Sequence, residues 1–200
     1  MPKLSKKKVI GLTGSMGSGK SMAGSIIREY YPVLDCDVVN RELLEKDHPG
    51  YLGLLENGLN FLDEQSEIDK PKMASIIFSN EDLRKKVESI LHPLIFKEID
   101  CWASKQKTPL VFVEVPLLFE IGAKSHFDEV WCIVADREVA LERLQKGRNV
   151  SKEEALARWN AQFPPEKKMA QSHRVIFNNG TIDELRKQIV KGLEESLHGA

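Results

Sequence analysis

Residues Gly14-Ser15-Met16-Gly17-Ser18-Gly19-Lys20-Ser21 match the pattern G-x-x-x-x-G-K-[ST] at every constrained position. A loop of this kind restricts the fold on both sides. It must leave a buried strand, curl tightly, and open a helix. Val9-Ile10-Gly11-Leu12-Thr13 before it is a short apolar run readable as a buried strand, and Met22 to Tyr30 after it has helical composition and no proline. The glycines let successive backbone N–H groups converge on phosphate oxygens. The positive end of the following helix adds to that field. Lys20 can reach β- and γ-phosphates, and the Ser21 hydroxyl can hold Mg²⁺. The expected ligand is therefore a nucleoside triphosphate.

Four further apolar runs read as strands: Pro32 to Asp35, Leu110 to Val115, Glu129 to Val134, and Arg174 to Phe177. Near-continuous apolar strands separated by helical stretches indicate a parallel sheet covered on both faces. The expected class is α/β, with a five-stranded parallel sheet of the P-loop NTPase type flanked by helices. Helical spacing is legible over Glu81 to Leu91 and Leu94 to Ala103, with His92-Pro93 between them. It recurs over Val139 to Leu144, Glu153 to Phe163, and after Thr181, a candidate cap. The stretch from Val38 to Lys107 carries little strand signal and is too long for one crossover helix, so a helical subdomain is expected there. In open α/β sheets ligands sit at the carboxyl ends of the strands. That rule places the phosphate loop, Asp35 and Asp37, Glu114 to Pro116 and the Asn178 turn along one rim.

The 200 residues suffice for one domain with a substantial core. Lys plus Arg number 29 against 30 for Asp plus Glu, which argues against a dedicated nucleic-acid binder. Cys36, Cys101 and Cys132 are far apart, with no metal spacing, and are expected to be buried fillers. The basic start lacks the apolar stretch of a signal peptide, and no run approaches a membrane span, so the cytoplasm is the expected location.

Several residues can carry chemistry. Asp37, just past the second strand, can accept a proton from an attacking hydroxyl or bind Mg²⁺ through water; equally, Asp35 and Asp37 can simply cap the next helix. Glu114, a carboxylate in an apolar strand, needs a metal or hydrogen-bonding partners. Pro116 marks the end of that strand. Arg143 and Arg148 can neutralise a transferring phosphoryl group, or form a solvated face with Glu138 and Glu142. His92 alone identifies neither a nucleophile nor a metal site. The tryptophans Trp102, Trp131 and Trp159 read as core or cleft wall.

From Val9 to the last helix the chain resembles the dephospho-CoA kinase family. Gly11-Leu12-Thr13-Gly14 through Ser21 is similar to its opening G-L-T-G-G-I-G-S-G-K-S. Asp35-Cys36-Asp37 with Arg41 is similar to its D-A-D-x-x-x-R. Leu91-His92-Pro93 is similar to its L-H-P segment, Val115 to Glu120 to its V-P-L-L-F-E, and Val175 to Gly180 to its V-I-x-N-x-G. Gln162 closes a lid-like helix as that family's glutamine does. The resemblance implies transfer of the γ-phosphate of ATP, with Mg²⁺, to the ribose 3′-hydroxyl of dephospho-CoA. It implies Asp37 as base or orienting group, with Lys20 and Arg143 stabilising the transferring group. Gly14, Gly17, Ser18, Gly19, Lys20, Ser21, Met22, Arg143 and Asn178 are implied around ATP. Arg41, His92, Leu117, Leu118 and Glu120 join Asp37 at the acceptor. The implied organisation is a single kinase domain over 1–200, with a CoA-binding insertion at about 38–107 and a lid at about 143–170. Neither nucleic acid nor membrane is an expected partner.

The chain departs from the family pattern in places. Ser15 replaces a glycine and would be strained at positive φ. Lys70 replaces an arginine, Ala140 a lid glutamine, and Ser172-His173 an Ala-Asp pair. Arg143 and Arg148 are five apart rather than four. On a continuous helix the extra residue turns the second arginine by about 100°, unless Gly147 and Asn149 allow a bend. Two other classes share the loop. Against a kinase for another small acceptor, the His-Pro and Pro-Leu-Leu-Phe-Glu segments favour dephospho-CoA; against a nucleotide-controlled switch, the N-K-x-D motif usual in GTP switches is absent here.

Overall fold

The computed structural model describes residues 7–148, 151, 153, 156, 159, 160 and 162–198. They form two compact units, one made of Met1–Leu34 and Gln106–Ala200, the other of Asp35–Lys105.

The first unit is built on a five-stranded parallel sheet of order β2-β3-β1-β4-β5. Its strands are β1 (Lys8–Gly14), β2 (Val33–Asp35), β3 (Leu110–Glu114), β4 (Glu129–Val134) and β5 (Arg174–Phe177). β1 lies at the centre, with Leu12 opposite Glu114 on one side and Trp131 on the other. The strand order reverses at β1, so the crevice expected of such sheets opens at its carboxyl end, where the phosphate loop starts.

Every second residue of the central strands enters one core. Ile10, Leu12, Leu110, Phe112, Trp131, Ile133 and Ile176 are buried there with Ile26 and Ile27 of α1 (Lys20–Arg28). Leu185, Ile189 and Leu193 of the C-terminal helix (Ile182–His198) complete it. Phe112 and Trp131 meet edge to face, with centroids 5.1 Å apart. The opposite face is covered by the chain after β3, and a Cβ on Gly11 would stand 2.6 Å from Leu118. The C-terminal helix opens with a capping box: Thr181 Oγ1 accepts from the Glu184 N–H, and Glu184 accepts from the Thr181 N–H.

The second unit contains α2 (Cys36–Leu43), α3 (Pro49–Glu56), α4 (Lys70–Ser79) and α5 (Glu81–Lys105). α5 supplies its axis and packs against the other three. The two helices expected on either side of His92-Pro93 are one. Val87, Leu91, Ile95, Ile99 and Ala103 are buried at four-residue intervals straight through Pro93. An interior proline costs about 3 kcal/mol. Burying each large aliphatic side chain returns about 1.5–3 kcal/mol. A continuous apolar stripe therefore outweighs the missing hydrogen bond.

The expectation of buried cysteines holds for Cys132 only. Cys36 is half-buried and Cys101 is exposed on α5. Burial pushes the Cys132 thiol up to about 11.

Phe112→Ala removes the ring at the centre of the larger core. We expect a stability loss of about 3–5 kcal/mol, read as a lowered urea midpoint at unchanged slope. A loss below about 1 kcal/mol would contradict this account of the core.

Candidate functional site

The phosphate loop is held by close backbone approaches that only glycine permits. Gly17 and Gly19 adopt φ of 77° and 86°, in the left-handed region. A Cβ on Gly14 would overlap the Ile133 carbonyl, one on Gly17 the Ala140 carbonyl, and one on Gly19 the Asn178 amide. The loop is thus wedged against β4, α6 (Arg137–Arg148) and the turn after β5. Ser15 is not among the residues at positive φ, so the strain considered for it does not arise. The Ser15 and Ser18 hydroxyls are buried without a hydrogen-bond partner.

Lys20 opens α1, and its ammonium donates to Glu114 Oε2 at 2.8 Å. Arg28 donates to Glu114 Oε1 at 2.9 Å. The Glu114 side chain is only 4% exposed. Both oxygens of this buried carboxylate thus have hydrogen-bonding partners. Lys20, Gly24 and Arg28 are spaced by four, so they form one stripe on α1. Glu114 fits beneath that stripe because position 24 has no side chain: a Cβ there would overlap Glu114 Oε1. Arg28 and Gly24 were not singled out in the sequence. Their signal was this four-residue repeat beginning at Lys20.

On the other flank, Asn178 is an organiser. Its Nδ2 donates to the Ser18 carbonyl at 2.8 Å and its N–H to the Val134 carbonyl at 2.8 Å, while its own carbonyl accepts from Arg143 at 2.8 Å. The Arg143 guanidinium also lies 3.8 Å from where a Cβ on Gly19 would stand. Gln162 Oε1 accepts from the Met16 N–H at 3.0 Å, which ties the tip of the loop to the segment expected to form a lid. Of the predicted helix over Glu153 to Phe163, the described residues Glu153, Leu156, Trp159 and Asn160 are helical, whereas Gln162 and Phe163 lie beyond the helix. α6 runs through Gly147 as helix; Asn149 and the Arg148 side chain lie outside the described residues. A cavity of about 550 Å³ borders Gln162, with Asp136, Trp159, Met169 and Phe177 among its walls.

Glu120 accepts from the Phe163 N–H at 3.0 Å and pairs with Lys168, fully buried, at 2.9 Å. Leu118 is fully buried, whereas Leu117 is exposed. Among the residues expected at the acceptor, Leu118 and Glu120 are therefore engaged inside the protein here. Met22 and Ser21 are exposed in the first turn of α1.

In the second unit, Asp35 caps α2 by accepting the Asp37 N–H at 2.9 Å. Asp37 and Arg41 are exposed one turn apart on that helix. His92 is half-buried on α5 and meets Phe96 edge to face at 6.5 Å. Among the described residues, no helix is long and apolar enough to cross a membrane.

A family model described as dephospho-CoA kinase matches residues 8–184. The dephospho-CoA kinase of Bacillus anthracis is 39% identical over 186 residues, covering 90% of this chain and 93% of that protein. A crystal structure of a Thermus thermophilus protein aligns with a TM-score of 0.85 at 30% identity, over 96% of this chain and 98% of the other. The dephospho-CoA kinase of Campylobacter jejuni aligns with a TM-score of 0.68 at 26% identity, over the same shares of the two chains.

Gly24→Ala tests the stripe on α1 through the sign of its effect. In an open helix interior the change stabilises by about 0.8–1 kcal/mol. Here the methyl group meets the Glu114 carboxylate, so we expect destabilisation by about 1–3 kcal/mol in urea unfolding. A stabilised variant would refute the packing described.

Proposed function

The chain belongs to the dephospho-CoA kinase family, and from that premise we propose that it transfers the γ-phosphate of ATP to the ribose 3′-hydroxyl of dephospho-CoA. The products are CoA and ADP, and the reaction is the last step of coenzyme A biosynthesis. The observation that carries this reading is the family match over residues 8–184, and the phosphate loop with Lys20 at its end supports a nucleoside triphosphate as donor.

Phosphoryl transfer is chiefly positioning and charge stabilisation. Backbone N–H groups of the loop not already engaged within the protein, with those of the first turn of α1, bind the phosphate oxygens. Lys20 and Arg143 neutralise charge on the transferring group. One Arg143 donor is fixed on the Asn178 carbonyl, and a guanidinium has five. Asn178 keeps the loop in place through Ser18, and its turn borders the adenine site. Asp37 takes the task of orienting the acceptor hydroxyl and accepting its proton; its exposure on α2 supports that role. Arg41, His92 and Leu117 contact the acceptor, while Leu118 and Glu120 hold the Leu117 segment from inside.

Mg²⁺ fits the donors present. It takes few protein ligands and keeps waters and substrate phosphates as the rest. The exposed Ser21 hydroxyl is such a ligand, and no cluster of three acidic, His or Cys residues competes with it among the described residues. When bound, the ion neutralises charge on the β- and γ-phosphates. In domain terms we place the acceptor-binding insertion at about 38–107 and a lid at about 143–170. The compactness of Asp35–Lys105 supports the first. A cytoplasmic location is consistent with the absence of a membrane-spanning helix among the described residues.

ADP release from Mg²⁺-ATP should depend on dephospho-CoA and should not respond to shikimate or adenosine. Asp37→Asn should keep ATP affinity and lose about 10²–10⁴-fold in kcat. Turnover without an acceptor, or a different preferred acceptor, would overturn the function. Near-normal turnover in the variant would overturn the role of Asp37 alone.

A further inference from the structure

Glu114 is a buried carboxylate with both oxygens engaged. Oε2 faces the Lys20 ammonium at 2.8 Å and Oε1 faces the Arg28 guanidinium at 2.9 Å. These two partners differ in the work asked of them. Lys20 belongs to the phosphate loop, and on the reading above its ammonium must turn to the triphosphate. Arg28 lies two turns further along α1, half-exposed and away from the loop. When Lys20 turns away, Glu114, whose side chain is 4% exposed, loses one of its two counter-charges. A buried charge left unpaired is strongly unfavourable, far more so than the weak gain of an exposed ion pair.

We propose that Arg28 is the standing counter-ion of Glu114, and that it frees Lys20 to engage the nucleotide. Arg28 is thus a positioning residue acting through Glu114 on Lys20, and it touches no reacting atom. The fold supports this in three ways. The guanidinium grips a carboxylate oxygen directionally. Its four-residue spacing from Gly24 and Lys20 sets all three over the same carboxylate. The missing side chain at Gly24 lets the carboxylate lie against the helix between its two cations. Without Arg28, the sole remaining ion-pair partner of Glu114 among the described residues is Lys20, and a nucleotide that draws Lys20 away leaves a buried charge bare.

The inference rests on the phosphate-loop reading, and the test separates the two. ATP binding to the full chain is followed by calorimetry without acceptor, and turnover is followed separately. Arg28→Met should weaken ATP binding and raise KM for ATP by about tenfold or more, with KM for dephospho-CoA unchanged. Arg28→Lys, which keeps the charge, should recover most of the loss. The double variant Arg28→Met with Glu114→Gln should bind ATP more tightly than Arg28→Met alone, because a neutral amide needs no counter-ion. Circular dichroism and thermal melts confirm that each variant is folded. A strut between helix and strand behaves oppositely, since the second change adds to the damage of the first. Unchanged ATP affinity in Arg28→Met, or a double variant weaker than the single, overturns the proposal. A wild-type chain that binds ATP and does not phosphorylate dephospho-CoA defeats the acceptor assignment and leaves this inference standing. A wild-type chain that binds no ATP defeats both.

Discussion

A carboxylate at the end of a fully buried strand persists only beside positive charge, and Glu114 meets that condition with Lys20 and Arg28. Much of the functional region follows from this pairing. It sets Lys20, Gly24 and Arg28 on the side of α1 that meets Glu114. The adjoining stripe of the same helix, Ala23, Ile26 and Ile27, enters the core with Ile10, Leu12 and Phe112, so both faces agree on one rotation of α1. The same pairing holds the lysine of the phosphate loop at the end of the sheet where strand order reverses.

The loop itself is set from three sides by contact rather than by regular hydrogen bonding. β4 meets Gly14, α6 meets Gly17, and the turn after β5 meets Gly19. Asn178 and Gln162 add hydrogen bonds at Ser18 and Met16. A cradle so restrained has little conformational freedom left to lose when phosphate binds, which is the physical meaning of preorganisation. The Ala140 position illustrates the tightness: its carbonyl is the surface against which Gly17 packs, so the residue is part of the loop's support.

The strands were legible in the sequence because buried parallel strands are short apolar runs. Glu129–Val134 and Arg174–Phe177 appear with the boundaries read from composition. The phosphate loop was legible because its glycines have no substitute. Other features depend on partners distant in sequence. Pro93 reads as a break, and only the stripe from Val87 to Ala103 packed against α2, α3 and α4 explains why α5 continues. Cys101 reads as a filler and is exposed because its side of α5 faces solvent. The inward ties of Glu120 depend on Phe163 and Lys168, more than forty residues away, and no local pattern reports them. Arg28 had a local signal, its spacing from Lys20, which acquires meaning only once Glu114 is placed beneath it.

The central claim is that this preformed cradle delivers the γ-phosphate of ATP to one hydroxyl of dephospho-CoA. Phosphorus NMR of the product, made with γ-labelled ATP, tests it directly. The account predicts one new phosphomonoester, coupled to the ribose C3′ proton and carrying the label, formed in equal amount with ADP. Label in inorganic phosphate, or on any other hydroxyl of the acceptor, would contradict it.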